Sequence, residues 1–117
     1  DYEYAMIEHL GVIDYAATVD GCCMFFPRWI FEEGLRYDEW LPDFHFYDAD
    51  ICCEVLSRGY KVGINTNIEV LHKSSGEMPP QFNKLRENFY NKWNNRIDQW
   101  PISRLTKFKR IENGRII

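Results

Sequence analysis

The stretch FHFYDADICCEVLSRGYKVGI, residues 44–64, combines an aromatic run, two aspartates and an apolar pattern with helical period. Apolar residues between positions 51 and 56 recur at the spacing of one helix face. Gly59 follows as a typical helix stop, and YKVGI, residues 60–64, has the character of a short strand. The stretch therefore predicts a helix over residues 47–58 with a strand directly after it.

Asp48 and Asp50 lie at the beginning of this helix. An aspartate in the first turn can accept backbone N–H bonds and gains from the helix dipole, which explains one of the two. Alternate residues cannot both cap the same amides, so the second carboxylate leaves a functional site as the alternative to a plain helix start. Glu54 and Arg58 are four residues apart on the polar face, where we expect them to pair.

The segment before this stretch predicts a strand and a short helix. ATVDGCCMFF, residues 17–26, is rich in β-branched and aromatic residues. Gly21 interrupts it, at a point where we expect the backbone to bend or to approach another group closely. Pro27 then introduces PRWIFEEG, a short helix that Gly34 ends.

The segment after it predicts a second strand and a second long helix. IEVLH, residues 68–72, has strand character and follows an NTN turn. The loop 73–80 leads through two prolines into a helix over about residues 80–98. One apolar stripe marks the buried face of that helix at positions i, i+3, i+7 and i+11: Phe82, Leu85, Phe89 and Trp93.

The composition favours one globular domain over residues 1–117. The chain is 45% hydrophobic and 16% aromatic, which supports a packed core. A net charge of −4 argues against nucleic acid as the main partner. We find no signal peptide and no apolar run of the roughly 18 residues that a membrane span needs. The chain begins at Asp1 without a methionine, so we expect a piece of a longer protein, with residues 98–117 as a tail or the start of a following segment.

The cysteines form two adjacent pairs, Cys22–Cys23 and Cys52–Cys53, which is not a CxxC spacing. Neighbours on a strand point to opposite faces, so we expect one thiol of the first pair to be buried. Free core cysteines in a reducing cytosol are favoured over a zinc site. His72 ends IEVLH beside a loop of small residues, where either a ligand contact or a hydrogen-bonded surface histidine fits.

The order of these segments resembles a known family. VDG, an aromatic acidic loop and then FYDADICCEVLSRGYKVGINTNIEVLHKSSG, residues 46–76, look like the carboxyl-terminal half of a family-two, GT-A-type glycosyltransferase. The likeness covers about residues 17–93. It implies a partial Rossmann-like α/β fold, with a short mixed sheet and two main helices. It also implies transfer of a sugar from a nucleotide-diphosphate sugar to a sugar or glycolipid acceptor, in polysaccharide or glycoconjugate synthesis.

The resemblance assigns roles to the residues around the helix start. Asp48 matches the last acidic position of the family's Glu-Asp motif, which implies a general base for the acceptor hydroxyl. Tyr47 stands where the family usually has Glu, and we expect it on the acceptor side. Asp50 matches a frequent second acid near the acceptor, more structural than catalytic.

The remaining matches concern the acceptor side and a metal. Asp20 and Gly21 match the family's Asp-Gly element beside the acceptor. His72 matches a carboxyl-terminal histidine that ligates a divalent cation in some members, which implies Mg²⁺ or Mn²⁺ as cofactor. The family's nucleotide-binding half, with its Asp-x-Asp motif, has no counterpart in this chain. We therefore expect the chain alone to be inactive. For the localisation, we expect the cytoplasm or the periphery of a membrane.

Two other functions remain open. The chain could be a non-catalytic carbohydrate-binding module of the same ancestry, holding a sugar on Trp29, Trp40 or Tyr47. It could also be a small metal-binding or interaction protein that uses His72 and the cysteines. Family membership implies inversion at the anomeric carbon and leaves the donor, the acceptor and the oligomeric state undefined.

Overall fold

A computed structural model describes residues 4–7, 11–39, 45–73, 78–94, 96, 108–112 and 115–116. Helices and strands are mixed along these ranges. In chain order they are β1 (Tyr4–Ile7), β2 (Val12–Ala16), α1 (Arg28–Glu32), α2 (Tyr47–Ser57), β3 (Val62–Asn65), α3 (Phe82–Trp93), β4 (Phe108–Glu112) and β5 (Arg115–Ile116).

The strands form two small antiparallel sheets. β2 pairs with β3, and the register shifts between Ile13 and Ala16. The other sheet has the order β1–β4–β5. Residues 98–117, expected as a tail or a following segment, thus include a strand that pairs with the first strand of the chain. Every pair between described strands is antiparallel, so the mixed sheet that we expected is not seen in this part of the chain.

Helix α2 is the centre of the core, because it is buried on two sides. On one side Ile51, Cys52 and Val55 join a cluster that also contains Ala16 and Val62 of the β2–β3 sheet. On the other side the neighbouring Cys53 and Ala49 pack against Phe89 and Trp93 of α3. Two adjacent helix residues are turned by about 100° from each other, so Cys52 and Cys53 reach different clusters. The predicted helix and its apolar face are confirmed.

Helices α1 and α2 end in the same way, at glycines in the left-handed conformation. Gly34 has φ +102° and Gly59 has φ +82°. At the end of α1, Leu35 N–H donates to the Ile30 carbonyl at 3.1 Å, and both side chains are buried. The amide of Tyr60 makes the equivalent bond after α2. This is the Schellman arrangement, in which glycine has no Cβ to strain, and it confirms both predicted helix stops.

Helix α3 carries the predicted apolar stripe. Leu85, Phe89 and Trp93 are buried, and Phe82 is partly buried. The helix covers Phe82–Trp93 rather than the whole range 80–98. Residues 95 and 97–98 lie outside the described part.

The strand predicted for residues 17–26 is wrong. This segment is irregular, with a turn at residues 21–23, and the strand of this region is β2 just before it. Two carboxylates, rather than a neighbouring strand, bind the amides of Gly21 and Cys22. Side-chain hydrogen bonds, one local from Asp20 and one long-range from Asp48, therefore compete with the β-propensity of the segment. Since there is no strand pleat here, Cys22 and Cys23 are both exposed, and the expectation of one buried thiol is wrong too.

The strand predicted for residues 68–72 is also wrong. The NTN turn is present, but the chain after it forms no described strand, and Ile68, Val70 and Leu71 are about half exposed. β3 has β2 as its partner instead. The amide and hydroxyl of Thr66 both donate to the Gly11 carbonyl, at 3.0 and 2.7 Å, next to the end of this ladder.

Candidate functional site

The turn at residues 20–22 joins segments that are far apart in the sequence. The Gly21 amide donates to Oδ2 of Asp48 at 3.0 Å, across 27 positions. Oδ1 of Asp48 accepts from the Ala49 amide at 2.8 Å. Within the turn, the Cys22 amide donates to Oδ1 of Asp20 at 3.1 Å. Asp48 therefore accepts one first-turn amide of α2 and also ties the helix to this turn.

The residue before α2 has an unusual backbone conformation. Phe46, the N-cap residue, has φ +68°, and its own side chain makes no capping hydrogen bond. A bulky residue in the left-handed region is an outlier that costs roughly 1–3 kcal/mol. The Phe46 ring packs against Phe82 and Phe89, with centroid distances of 5.2 and 5.5 Å. These ring contacts hold the strained conformation beside the proposed base.

Tyr47 covers the Gly21 backbone. A Cβ added to Gly21 would lie 2.7 Å from two ring carbons of Tyr47 and closer still to its hydroxyl. The predicted close approach at Gly21 is thus confirmed, and no other residue fits here without movement. Tyr37 lies next to Tyr47, with ring centroids 6.2 Å apart. The two tyrosines form an aromatic wall beside the Asp48–Gly21 hydrogen bond.

The phenols and the nearby thiol are held in their neutral forms. Burial, followed by the charge of Asp48, raises the pKa of Tyr47. Burial and then the charges of Cys52 and Asp48 raise the pKa of Tyr37. Burial and the charge of Asp20 raise the pKa of the Cys22 thiol. At neutral pH both phenols carry a proton that they can donate, and the raised pKa of the Cys22 thiol disfavours its thiolate form.

His72 lies beside the same turn. Its ring nitrogen, the Cys22 sulfur and an Asp20 carboxylate oxygen are all within 4.8 Å of one another. Asp20 and Cys22 are exposed, and His72 is partly buried. The turn at 20–22 thus contacts Asp48 and Tyr47 through Gly21, and approaches His72 through its flanking residues. The family resemblance proposed Asp20, Gly21, Tyr47, Asp48, Asp50 and His72 for the site, and all of them except Asp50 lie around this turn.

Asp50 lies in a separate cluster, inside the α2–α3 contact. It is 1% exposed, and its Oδ1 accepts from the Trp93 indole N–H at 2.7 Å and from Lys92 at 2.9 Å. Lys92 also pairs with Asp38 at 2.8 Å and with Glu54 at 3.2 Å. Burial lowers the pKa of Lys92, but these hydrogen bonds outweigh it and the pKa is raised. These contacts give Asp50 a packing and charge-pairing role.

The same contacts correct the expected Glu54–Arg58 pair. Glu54 pairs with Lys92, and Arg58 donates from Nη1 to the Glu33 carbonyl at 3.2 Å. Packing of α3 and α1 against α2 supplies both partners, so the local i,i+4 pattern is not used.

Sequence analysis missed two residues of these clusters, Tyr37 and Lys92, and named Cys22 only among the cysteines of an alternative metal-binding protein. Tyr37 was given no role, and Cys22 was expected on a strand. Lys92 gave no local signal, because its acidic partners on α2 lie about forty residues earlier in the chain. The sequence of α3 shows charged residues between the buried apolar ones, and Lys92 is one of them. This pattern does not identify the partners of the lysine.

Comparison with known protein families, with curated proteins and with solved structures gave no match. No helix in the described ranges combines the length and the apolar character that a membrane span requires.

Proposed function

We propose that this chain forms the acceptor-side part of a GT-A-type glycosyltransferase that uses a nucleotide-diphosphate sugar. The observation that supports it best is the hydrogen bond from the Gly21 amide to Asp48. The resemblance pairs an Asp-Gly element with a later acidic motif at one acceptor site. Finding these two elements in direct contact is what such a site requires.

On this proposal, Asp48 is the general base. Its two oxygens each accept one backbone amide, which fixes the orientation of the carboxylate. An ionised carboxylate offers about four acceptor positions, so capacity remains for an acceptor hydroxyl. As that hydroxyl attacks the anomeric carbon, its proton moves to Asp48, the new glycosidic bond forms and the bond to the diphosphate breaks. A positioned base of this kind contributes roughly 10²–10⁴-fold.

The aromatic wall formed by Tyr37 and Tyr47 is the surface that we propose for contact with the acceptor sugar. Tyr37 is 46% exposed, and its ring lies beside that of Tyr47. Aromatic faces suit the apolar face of a sugar ring, and a neutral phenol can donate to a sugar hydroxyl. A tyrosine phenol is protonated at neutral pH, and the raised pKa of Tyr37 and Tyr47 extends that state to higher pH.

Mg²⁺ or Mn²⁺ remains a proposal from the resemblance alone. Near His72, the described residues offer one imidazole, one thiol and one carboxylate. Mg²⁺ prefers six oxygen ligands, so this set does not fit it. We therefore assign no step of the transfer to a metal ion held by these residues.

Acceptor binding by the chain itself tests the site. A panel of mono- and oligosaccharides is titrated while amide resonances are recorded by NMR. We expect shifts around residues 20–22 and 47–49 in the wild type, and weaker binding in Tyr37→Ala. Shifts elsewhere, with residues 20–22 unaffected, would contradict the acceptor site.

A non-catalytic carbohydrate-binding module is the second candidate. Trp29 favours it, because its side chain is 45% exposed and its ring is held edge-on by Tyr60 at 5.0 Å. Trp40 lies outside the described residues. The same titration separates the candidates, since binding on Trp29 would shift resonances of α1 and would be lost in Trp29→Ala. Binding at Asp48 and Tyr37 favours the transferase.

A further inference from the structure

We propose that Asp20, Cys22 and His72 form a binding site for a thiophilic divalent cation such as Zn²⁺. The site shares His72 with the Mg²⁺ or Mn²⁺ centre that the family resemblance implies, and differs from that centre in the thiol ligand Cys22 and in the metal it selects. It does not rest on the transferase proposal, because it concerns only three side chains of this chain and the metal.

The geometry is close to what a tetrahedral ion needs. With Zn–S near 2.3 Å and Zn–N or Zn–O near 2.0–2.2 Å, tetrahedral ligands lie about 3.5 Å apart. The three donor atoms of the site lie within 4.8 Å of one another. Two of the side chains are exposed and one is partly buried. Side-chain rotations that move the ligand atoms by about 1 Å can therefore bring them from this separation to that of tetrahedral ligands without moving the core.

Backbone amides take part in holding the turn that carries two of the metal ligands, Asp20 and Cys22. The Cys22 amide is bound to Oδ1 of Asp20 at 3.1 Å, and the neighbouring Gly21 amide is bound to Asp48 at 3.0 Å. These bonds hold the turn that carries both ligands. A carboxylate has two oxygens, so holding the Cys22 amide does not prevent Asp20 from binding a metal ion.

The donor set selects the metal. One thiolate, one imidazole and one carboxylate match the ligands of Zn²⁺ sites that keep an open fourth position. A soft sulfur ligand favours Zn²⁺ or Co²⁺ over Mg²⁺ and Ca²⁺. On binding, the Cys22 thiol loses its proton and the sulfur–metal bond forms, so one proton is released to solvent for each ion bound at this thiol.

The cysteine pair supplies a matched control. Cys23 is as exposed as Cys22 and adjacent to it, but it does not belong to the three-residue cluster. A non-specific thiol interaction would use either cysteine. A specific metal site would depend on Cys22 and not on Cys23.

The test is titration of the 117-residue chain with Co²⁺ under reducing conditions, followed by absorption spectroscopy. We expect one ion per chain, a thiolate-to-cobalt charge-transfer band in the near ultraviolet, visible bands of tetrahedral intensity, and displacement by Zn²⁺ but not by excess Mg²⁺. Cys22→Ser should remove the charge-transfer band, whereas Cys23→Ser should keep it. Loss of a partner outside the first ligand sphere typically costs about 10–100-fold in metal affinity, so His72→Ala should cost at least as much.

Circular dichroism of each variant verifies folding, which the exposed positions should not disturb. A pH-stat measurement should show one proton released per ion in the wild type and none in Cys22→Ser. The proposal is overturned if the wild type gives no charge-transfer band, if Mg²⁺ displaces Co²⁺ at similar concentration, or if Cys23→Ser loses as much affinity as Cys22→Ser.

Discussion

Replacing Asp50 by alanine should destabilise the fold strongly, because this carboxylate is the buried partner of two donors. The side chain is 1% exposed, and Trp93, the indole donor, is 2% exposed. Without Oδ1, the buried indole N–H loses its acceptor, which costs about 1–3 kcal/mol. Lys92 loses one charged partner but keeps Asp38 and Glu54 and is 30% exposed, so we add only about 1 kcal/mol for it. The expected loss is roughly 2–4 kcal/mol, or about 10–15 °C in Tm.

A double-mutant cycle separates the orphaned donor from general damage. Trp93→Phe removes the N–H while keeping an aromatic ring in the α2–α3 contact. In that background Asp50→Ala should cost about 1–2 kcal/mol less than in the wild type. Urea and thermal unfolding measure all four chains, with Glu54→Ala as the control expected to cost under about 0.5–1 kcal/mol. Equal costs of Asp50→Ala in both backgrounds, or a cost below about 1 kcal/mol in the wild type, would refute the reasoning.

Three further predictions concern the buried thiols Cys52 and Cys53, the turn at residues 20–22 and the nucleotide-sugar donor. Burial raises the pKa of Cys52 to about 11 and that of Cys53 to about 12, against 9.0 for an ordinary thiol. The unfolded chain therefore loses these protons first, and the free energy of unfolding should fall above pH 9 by up to about 1.4 kcal/mol per pH unit for each thiol. Urea unfolding should show a smaller slope against pH in Cys52→Ala, and an unchanged slope in that variant would be evidence against the prediction. Gly21→Ala should cost about 1–3 kcal/mol through its clash with Tyr47 and much less in a Tyr47→Ala background, so equal melting-temperature losses in both backgrounds would contradict the contact. Calorimetry of the chain alone with uridine, guanosine and thymidine diphosphate sugars should show no saturable binding, and clear saturation would place a donor site within the chain.

The helices could be predicted from the sequence because their signals are local. The apolar period of α2 and the stripe on α3 need only neighbouring residues to be recognised. Gly34 and Gly59 end their helices through backbone conformations that favour glycine. Even here, burial of α2 on two sides was not predicted, since the second face depends on where α3 packs.

The strands were predicted less well because pairing depends on residues far away. Residues 17–26 have strand propensity, but the amides of Gly21 and Cys22 are taken by Asp48 and Asp20. Residues 68–72 have the same propensity, but β3 pairs with β2 and these residues have no described strand partner. Propensity states which segments can be strands, and partners decide which of them are.

The candidate site was proposed from the order of its motifs rather than from any one of them. That order brought Asp48, Gly21 and His72 into one hypothesis, and the structure has all three around the turn at residues 20–22. The positions of the Cys22 sulfur and of the Tyr37 ring could not be predicted, because both depend on the conformation of irregular segments. Asp50 was expected on the acceptor side with a role more structural than catalytic, but it lies in the α2–α3 contact, and its partners Lys92 and Trp93 follow only from helix packing.

The measurement that tests the proposed function most directly is turnover by the longer protein that the proposal implies, with Asp48→Asn as the variant. Asn offers one carbonyl acceptor where Asp48 now accepts two amides, so we expect a loss of about 1–2 kcal/mol in stability rather than none. At a temperature where both proteins are folded, sugar transfer should fall by about 10²–10⁴-fold while donor binding stays unchanged. A folded Asp48→Asn protein with wild-type turnover, or a wild-type protein that transfers no sugar from any nucleotide-diphosphate donor, would contradict the assignment.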